Sequence, residues 1–188
     1  MRKLIALLVL VVCFAANAQT VQDFKLINVV NGNTVSLGTY PSCEGLVIIF
    51  TSNACPYDEY YRARINKLSR EYQDKVPVLL VNSHVEPNES TDAMVKKAQQ
   101  AGISLPYLAD KDQTLMTALG ATKSPAVYLL KNNGGKFTIV YKGALDDNAQ
   151  VEADVRHHHL KDAIDIMLAN QAVQTPEVRP VGCTIRKK

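Results

Sequence analysis

The residues best placed to do chemistry are Phe50-Thr51-Ser52-Asn53-Ala54-Cys55-Pro56-Tyr57, where a cysteine closes an apolar run and opens a helical pattern. Unpaired N–H groups in the first turn of a helix carry partial positive charge. That charge stabilises an anion, so Cys55 is expected to be a partly exposed, reactive thiolate of depressed pKa. Pro56 fits the same geometry, because the first helical position is where a missing N–H costs nothing. The alternative is a buried thiol packed as a small hydrophobe, the commoner fate of a lone cysteine. Asp58, in the first turn, suits the helix dipole but opposes a thiolate through like charge. Arg62 and Arg64 are read as solvent-facing charges of an amphipathic helix.

The other chemistry-bearing residues are scattered. Cys43 lies in the turn Tyr40-Pro41-Ser42-Cys43-Glu44-Gly45 and reads as a bystander or structural thiol, while Cys183 lies in the terminal segment. His157, His158 and His159 are consecutive, and neighbouring side chains on a helix splay by about 100°, so they do not converge on one ion. They read as a solvated face, and His84 as an isolated loop residue. No Cys-x-x-Cys or His-x-x-x-His spacing exists, so neither zinc nor another metal or cofactor is expected. Asp146-Asp147 follows a strand and a glycine and reads as a loop bend or helix cap.

The elements that must position these residues follow from apolar periodicity. Residues 1–18 have a basic start (Arg2, Lys3), an apolar run and Ala16-Asn17-Ala18, the pattern of a cleaved secretory leader. The predicted organisation is a signal peptide at 1–18, a domain at 19–170 and a tail at 171–188 that carries Cys183. A hairpin is expected at 24–37 around Asn31-Gly32, and buried strands at 46–50 and 76–81. Tyr57, Tyr61, Ile65, Leu68 and Tyr72 have helical spacing between those strands. Helices are expected at 91–101, ended by Gly102, and at 112–119, ended by Gly120. A short strand at 105–108, a hairpin of strands 126–130 and 137–141, and a helix at about 155–170 complete the pattern. The tail shows no period. A β-α-β half followed by an antiparallel hairpin implies an α/β fold, a central mixed sheet with helices on both faces.

Composition narrows the partners. The formal charge of +3 includes Arg2 and Lys3 of the leader, so the rest of the chain is nearly neutral. No basic patch alternates with aromatics, so no nucleic-acid partner is expected, and none in a membrane once the leader is cleaved. The expected location is periplasmic or extracellular. Of the four cysteines, Cys13 lies in the expected leader; the remaining Cys43, Cys55 and Cys183 are an odd number, which leaves a thiol unpaired unless chains are linked, in a compartment that is usually oxidising.

Together these residues resemble thioredoxin-fold proteins, and more narrowly the peroxiredoxin-like redoxins of the alkyl hydroperoxide reductase/thiol-specific antioxidant superfamily. The resemblance is carried by the 50–57 junction, Leu105-Pro106-Tyr107-Leu108-Ala109-Asp110, Lys123-Ser124-Pro125 and Tyr141-Lys142-Gly143-Ala144-Leu145-Asp146-Asp147. It continues through His158-His159-Leu160-Lys161-Asp162-Ala163 and Val181-Gly182-Cys183-Thr184-Ile185. It implies a thioredoxin-like three-layer fold, Cys55 as the redox-active thiol, Pro125 as the facing cis-proline, and a peroxide or protein disulfide substrate with an external thiol reductant.

The chain also departs from these patterns. It lacks the Cys-x-x-Cys of thioredoxins, and Ser52 stands where many relatives carry a second cysteine. Ile48 and Ser52 replace the proline and threonine of the peroxidatic Pro-x-x-x-Thr-x-x-Cys, although Ser52 keeps a hydroxyl able to bond a peroxide, and Lys123-Ser124-Pro125 offers no arginine. Resolution of an oxidised Cys55 therefore falls to a distant residue, another chain or a small thiol. Cys183 is the candidate, with a structural Cys43–Cys183 staple as the alternative. Two functions remain open: an exported thiol oxidoreductase or antioxidant, and a non-catalytic thioredoxin-fold module that binds a peptide or metal-bearing partner.

Overall fold

The structure is a computed structural model that describes residues 19–188; the expected leader, residues 1–18, lies outside the described residues. Strand β3 (Gly45–Phe50) is buried along its whole length, as its continuous apolar run requires. It pairs in parallel with β4 (Val78–Asn82) and antiparallel with β7 (Ala126–Asn133). The parallel neighbour needs a crossover, supplied by α1 (Pro56–Tyr72). A second crossover, α2 (Thr91–Ala101), brings β5 (Tyr107–Ala109) parallel to β4. The hairpin of β1 (Leu26–Asn28) and β2 (Thr34–Val35) extends the sheet beyond β5. On the other side β8 (Lys136–Gly143) pairs antiparallel with β7.

Alternation along β3 divides the core. Val47 and Ile49 face α1, α2 and α4 (His159–Leu168), meeting Tyr61, Ile65, Met94, Leu160 and Ile164. Leu46, Ile48 and Phe50 face the opposite layer, built by α3 (Thr114–Leu119) with Phe24, Leu37 and Ile185. Burying each such side chain contributes roughly 1.5–3 kcal/mol, so the two clusters fix the register of the central strand.

Local signals set most boundaries. Ser90 Oγ accepts from Ala93 N at the start of α2, and Gly102 ends it in the left-handed conformation (φ 60°), donating to Ala98 and Gln99. The last helix departs from expectation: α4 begins at His159, not near 155. Asp147 Oδ1 accepts from Arg156 N (3.0 Å) and Asp147 N donates to the His157 carbonyl (3.2 Å), which ties those backbone groups into a loop.

The tail also departs from expectation, since it forms two short strands. Strand β9 (Glu177–Val178) lies parallel to β8, and β10 (Cys183–Thr184) pairs antiparallel with β6 (Lys123–Ser124). Gly143 permits the first contact, because a Cβ at its φ of 127° would lie 1.7 Å from the Val178 carbonyl oxygen. Two-residue strands are too short to display a period-2 pattern, which is why the sequence hid them.

Candidate active site

Where β3 ends, the chain turns through residues 51–54, and Cys55 becomes the N-cap residue of α1 with Pro56 in the first helical position. Cys55 is only 6% exposed, against the expectation of partial exposure. Its burial comes from the strand that faces it. The Ser124–Pro125 peptide is cis, and the Ser124 carbonyl oxygen lies 3.4 Å from Cys55 Sγ. Ser124 is also the residue that Cys183 pairs with in the β10–β6 ladder. That ladder delivers Cys183 to Cys55: the two are joined in a disulfide with a Cα–Cα distance of 6.0 Å.

The tail that carries Cys183 is fastened on both sides of the bond. At Gly182 a Cβ would sit 2.2 Å from the Ser124 carbonyl oxygen, so glycine is required for this approach. Beyond it, Ile185 N donates to Thr122 O (3.0 Å) and its side chain enters the core. Gln113 donates to Arg186 O (2.7 Å) and accepts from Lys188 N (2.9 Å). Cys43 is free, half-buried, with Sγ 3.2 Å from the Tyr40 carbonyl, so the Cys43–Cys183 staple is not formed.

A buried polar network lies beside the cysteine. Glu89, 2% exposed, accepts from Ser52 Oγ (2.5 Å), Asn53 N (2.8 Å), Ala54 N (3.1 Å) and Asn82 Nδ2 (2.7 Å). Asp58 accepts from Thr51 Oγ1 (2.6 Å) and Ser52 N (3.1 Å). Burial, reinforced by the nearby Glu89, pushes the Asp58 carboxyl up to about 7 despite those bonds. His84 Nε2 lies 2.8 Å from Ser124 Oγ, and burial lowers its pKa. Lys111 donates to Asn82 Oδ1 (2.9 Å) and the His84 carbonyl (3.0 Å), and desolvation brings it down to about 8.

The structure thus brings together Cys55, Cys183, Pro125 and Ser52. Sequence reasoning missed Glu89, Asn82, Lys111 and Gln113, and misplaced His84 as an isolated loop residue. No local signal marks Glu89, which lies 37 positions from Ser52.

Two further expectations are corrected. Arg64 does not face solvent: it is buried, paired with Asp146 at 2.5 Å, and bonded to the carbonyls of Asn148 (2.7 Å) and Ala149 (2.8 Å). Asp146 is therefore a buried anchor that also accepts from Tyr61 OH (3.0 Å), in addition to lying in a loop. Arg62, by contrast, pairs with exposed Glu59. His157 and His158 precede α4, so the three histidines do not form a helix face, and the rings of His157 and His159 stack.

A mixed sheet flanked by helices, with a cysteine at the strand–helix junction against a cis-proline, defines a thioredoxin-like α/β protein. More narrowly, the chain belongs to the AhpC/TSA family, whose sequence model matches residues 18–142, and its general function is redox chemistry. Among solved structures it is similar to a hypothetical protein from Sinorhizobium meliloti 1021, at 28% identity and a TM-score of 0.79 over 89% of this chain and 92% of that one. An uncharacterized conserved protein from Geobacillus kaustophilus is also 28% identical, with a TM-score of 0.80 over 91% of this chain and 92% of that one. The exposed lipoprotein thioredoxin of Streptococcus pneumoniae strain TIGR4 shares the fold, at 22% identity and a TM-score of 0.56 over 77% of this chain and 99% of that one. A search of curated proteins finds no match.

Proposed function

We propose that the protein is an exported thiol–disulfide oxidoreductase or peroxiredoxin-like antioxidant whose working redox pair is Cys55 and Cys183. The observation that carries this reading is the bond between them, which joins the start of α1 to the terminal strand directly beside Pro125. In the oxidised form, a thiolate of an external reductant attacks one sulfur, the Cys55–Cys183 bond breaks, and a mixed disulfide forms. The released sulfur leaves as a thiolate and takes up a proton. A second thiol of the reductant then displaces the remaining protein sulfur, so the reductant departs as a disulfide and the protein holds two thiols. The reduced pair passes these two electrons to a protein disulfide or a peroxide. The leader at 1–18 supports a periplasmic or extracellular site of action, where such a pair cycles against an oxidising background.

One observation favours a second reading. Cys55 is buried and the tail is fastened independently by Ile185 and Gln113, as a structural staple would be. Titration of the folded protein with dithiothreitol, followed by mass mapping and turnover assays with a disulfide and a hydroperoxide, separates the two. A redox pair is reduced reversibly without unfolding, Cys183→Ser traps Cys55 as a mixed disulfide or sulfenic acid, and Cys43→Ser retains turnover. A bond that resists reduction until the protein unfolds is a structural staple, and a Cys183→Ser variant of full activity removes Cys183 from the cycle and leaves Cys55 working alone. Absence of turnover with any thiol makes the protein a binding module.

A further inference from the structure

Reduction of a hydroperoxide makes a specific demand on the surroundings of Cys55. The sulfur bonds one peroxide oxygen and becomes a sulfenic acid, the O–O bond breaks, and the other oxygen leaves as hydroxide or alkoxide that must be held by donors and take up a proton. Ahead of Cys55, the groups in position to do this are the Ser52 hydroxyl and the amides of residues 52–55, in the turn that leads into α1. All are already engaged. Ser52 Oγ gives its proton to Glu89 and accepts from Ala54 N and Cys55 N, both at 3.1 Å. The amides of Asn53 and Ala54 donate to Glu89, and that of Ser52 to Asp58. Every partner of the Glu89 carboxyl is a donor, which is the arrangement of an ionised carboxylate. Nearby cations are engaged as well: Lys111 is held by Asn82 and the His84 carbonyl, and Arg62 and Lys97 pair with Glu59. An oxyanion developing at Cys55 therefore meets carboxyl groups where free donors are required. Thiol–disulfide exchange makes no such demand, since charge passes from one sulfur to another.

We propose that Glu89 determines the substrate class of this site: as an internal anion it fills the amide nest ahead of Cys55, shuts out hydroperoxides, and leaves disulfides as the substrate. The inference rests on Cys55 and Cys183 being the working pair. It also corrects the expectation that the Ser52 hydroxyl is available to a peroxide.

The test uses the reduced, full-length mature protein carrying Cys43→Ser, with hydrogen peroxide and the uncharged disulfide 4,4′-dithiodipyridine as probes, read by stopped flow against free cysteine at the same pH. The parent should react with dithiodipyridine faster than free cysteine and with peroxide no faster. Glu89→Gln, close in volume, should raise the ratio of peroxide rate to disulfide rate by at least about tenfold, a conservative figure where a single oxyanion donor is worth a hundredfold or more. An unchanged ratio overturns the proposal, as does a parent that reduces peroxide faster than free cysteine. If Glu89→Gln does not fold, the parent's two rates still decide. A parent that exceeds free cysteine in neither reaction removes the redox pair itself, a failure distinct from the first.

Discussion

Asp58 has a side chain held far from its behaviour in water. It is 8% exposed, and burial outweighs the bonds from Thr51 and Ser52, raising its pKa from 3.8 to about 7. The folded protein therefore retains a proton there that the unfolded chain has lost, and stability falls as pH rises through the interval from about 4 to about 7. Above that interval the penalty is complete and constant. Asn in place of Asp keeps the shape and removes the charge, since its amide can donate to Thr51 and its oxygen can accept from Ser52. Urea unfolding at pH 4.5 and 7.5 should show Asp58→Asn gaining on the parent by on the order of 2–4 kcal/mol between the two pH values. An equal gap at both would mean that the carboxyl does not carry the buried charge.

At the scale of elements, the β3–α1 junction and the β6–β10 ladder play different parts. The first presents Cys55; the second brings a partner to it across the Ser124–Pro125 edge. Gly182 controls that approach, because any Cβ there lies 2.2 Å from backbone oxygen and backbone cannot swing aside as a side chain can. Gly182→Ala should force β10 away from β6 and cost about 1–3 kcal/mol, the usual penalty of overpacking. The displaced tail should be cut sooner by protease, and the Cys55–Cys183 bond should be reduced faster by dithiothreitol. Reduction at the parental rate would show that β10 finds another seat.

For the whole molecule, the bond between Cys55 and Cys183 spans 128 positions and encloses most of the domain, including α2, α3 and α4. A cross-link restricts the unfolded chain more than the native one, and for so long a loop the entropic estimate approaches 5 kcal/mol, with about 2–5 kcal/mol usual on removal. Cys183→Ser, measured by urea unfolding, should lose that amount while retaining the sheet and the two core clusters, which make the fold without it. A variant as stable as the parent would mean that the unfolded chain is already compact around this loop.

Local features are legible along the chain. The continuous apolar run of β3, the switch to helical spacing after Cys55 and the glycine that stops α2 all act within a few residues, so their physics can be read along the chain. The remaining features depend on contacts between distant segments. Arg64 reads as a surface charge until the loop at 146–149 closes over it, and Glu89 reads as loop polarity until the single 3-10 turn Pro87–Glu89 sets its carboxyl on amides 35 and 36 positions earlier. Strands of two residues carry no period, so neither the docking of the tail nor the choice of Cys183 over Cys43 is written locally. Those choices depend on which distant groups share a site once the sheet is assembled, where burial makes an unpaired donor or charge too costly to leave.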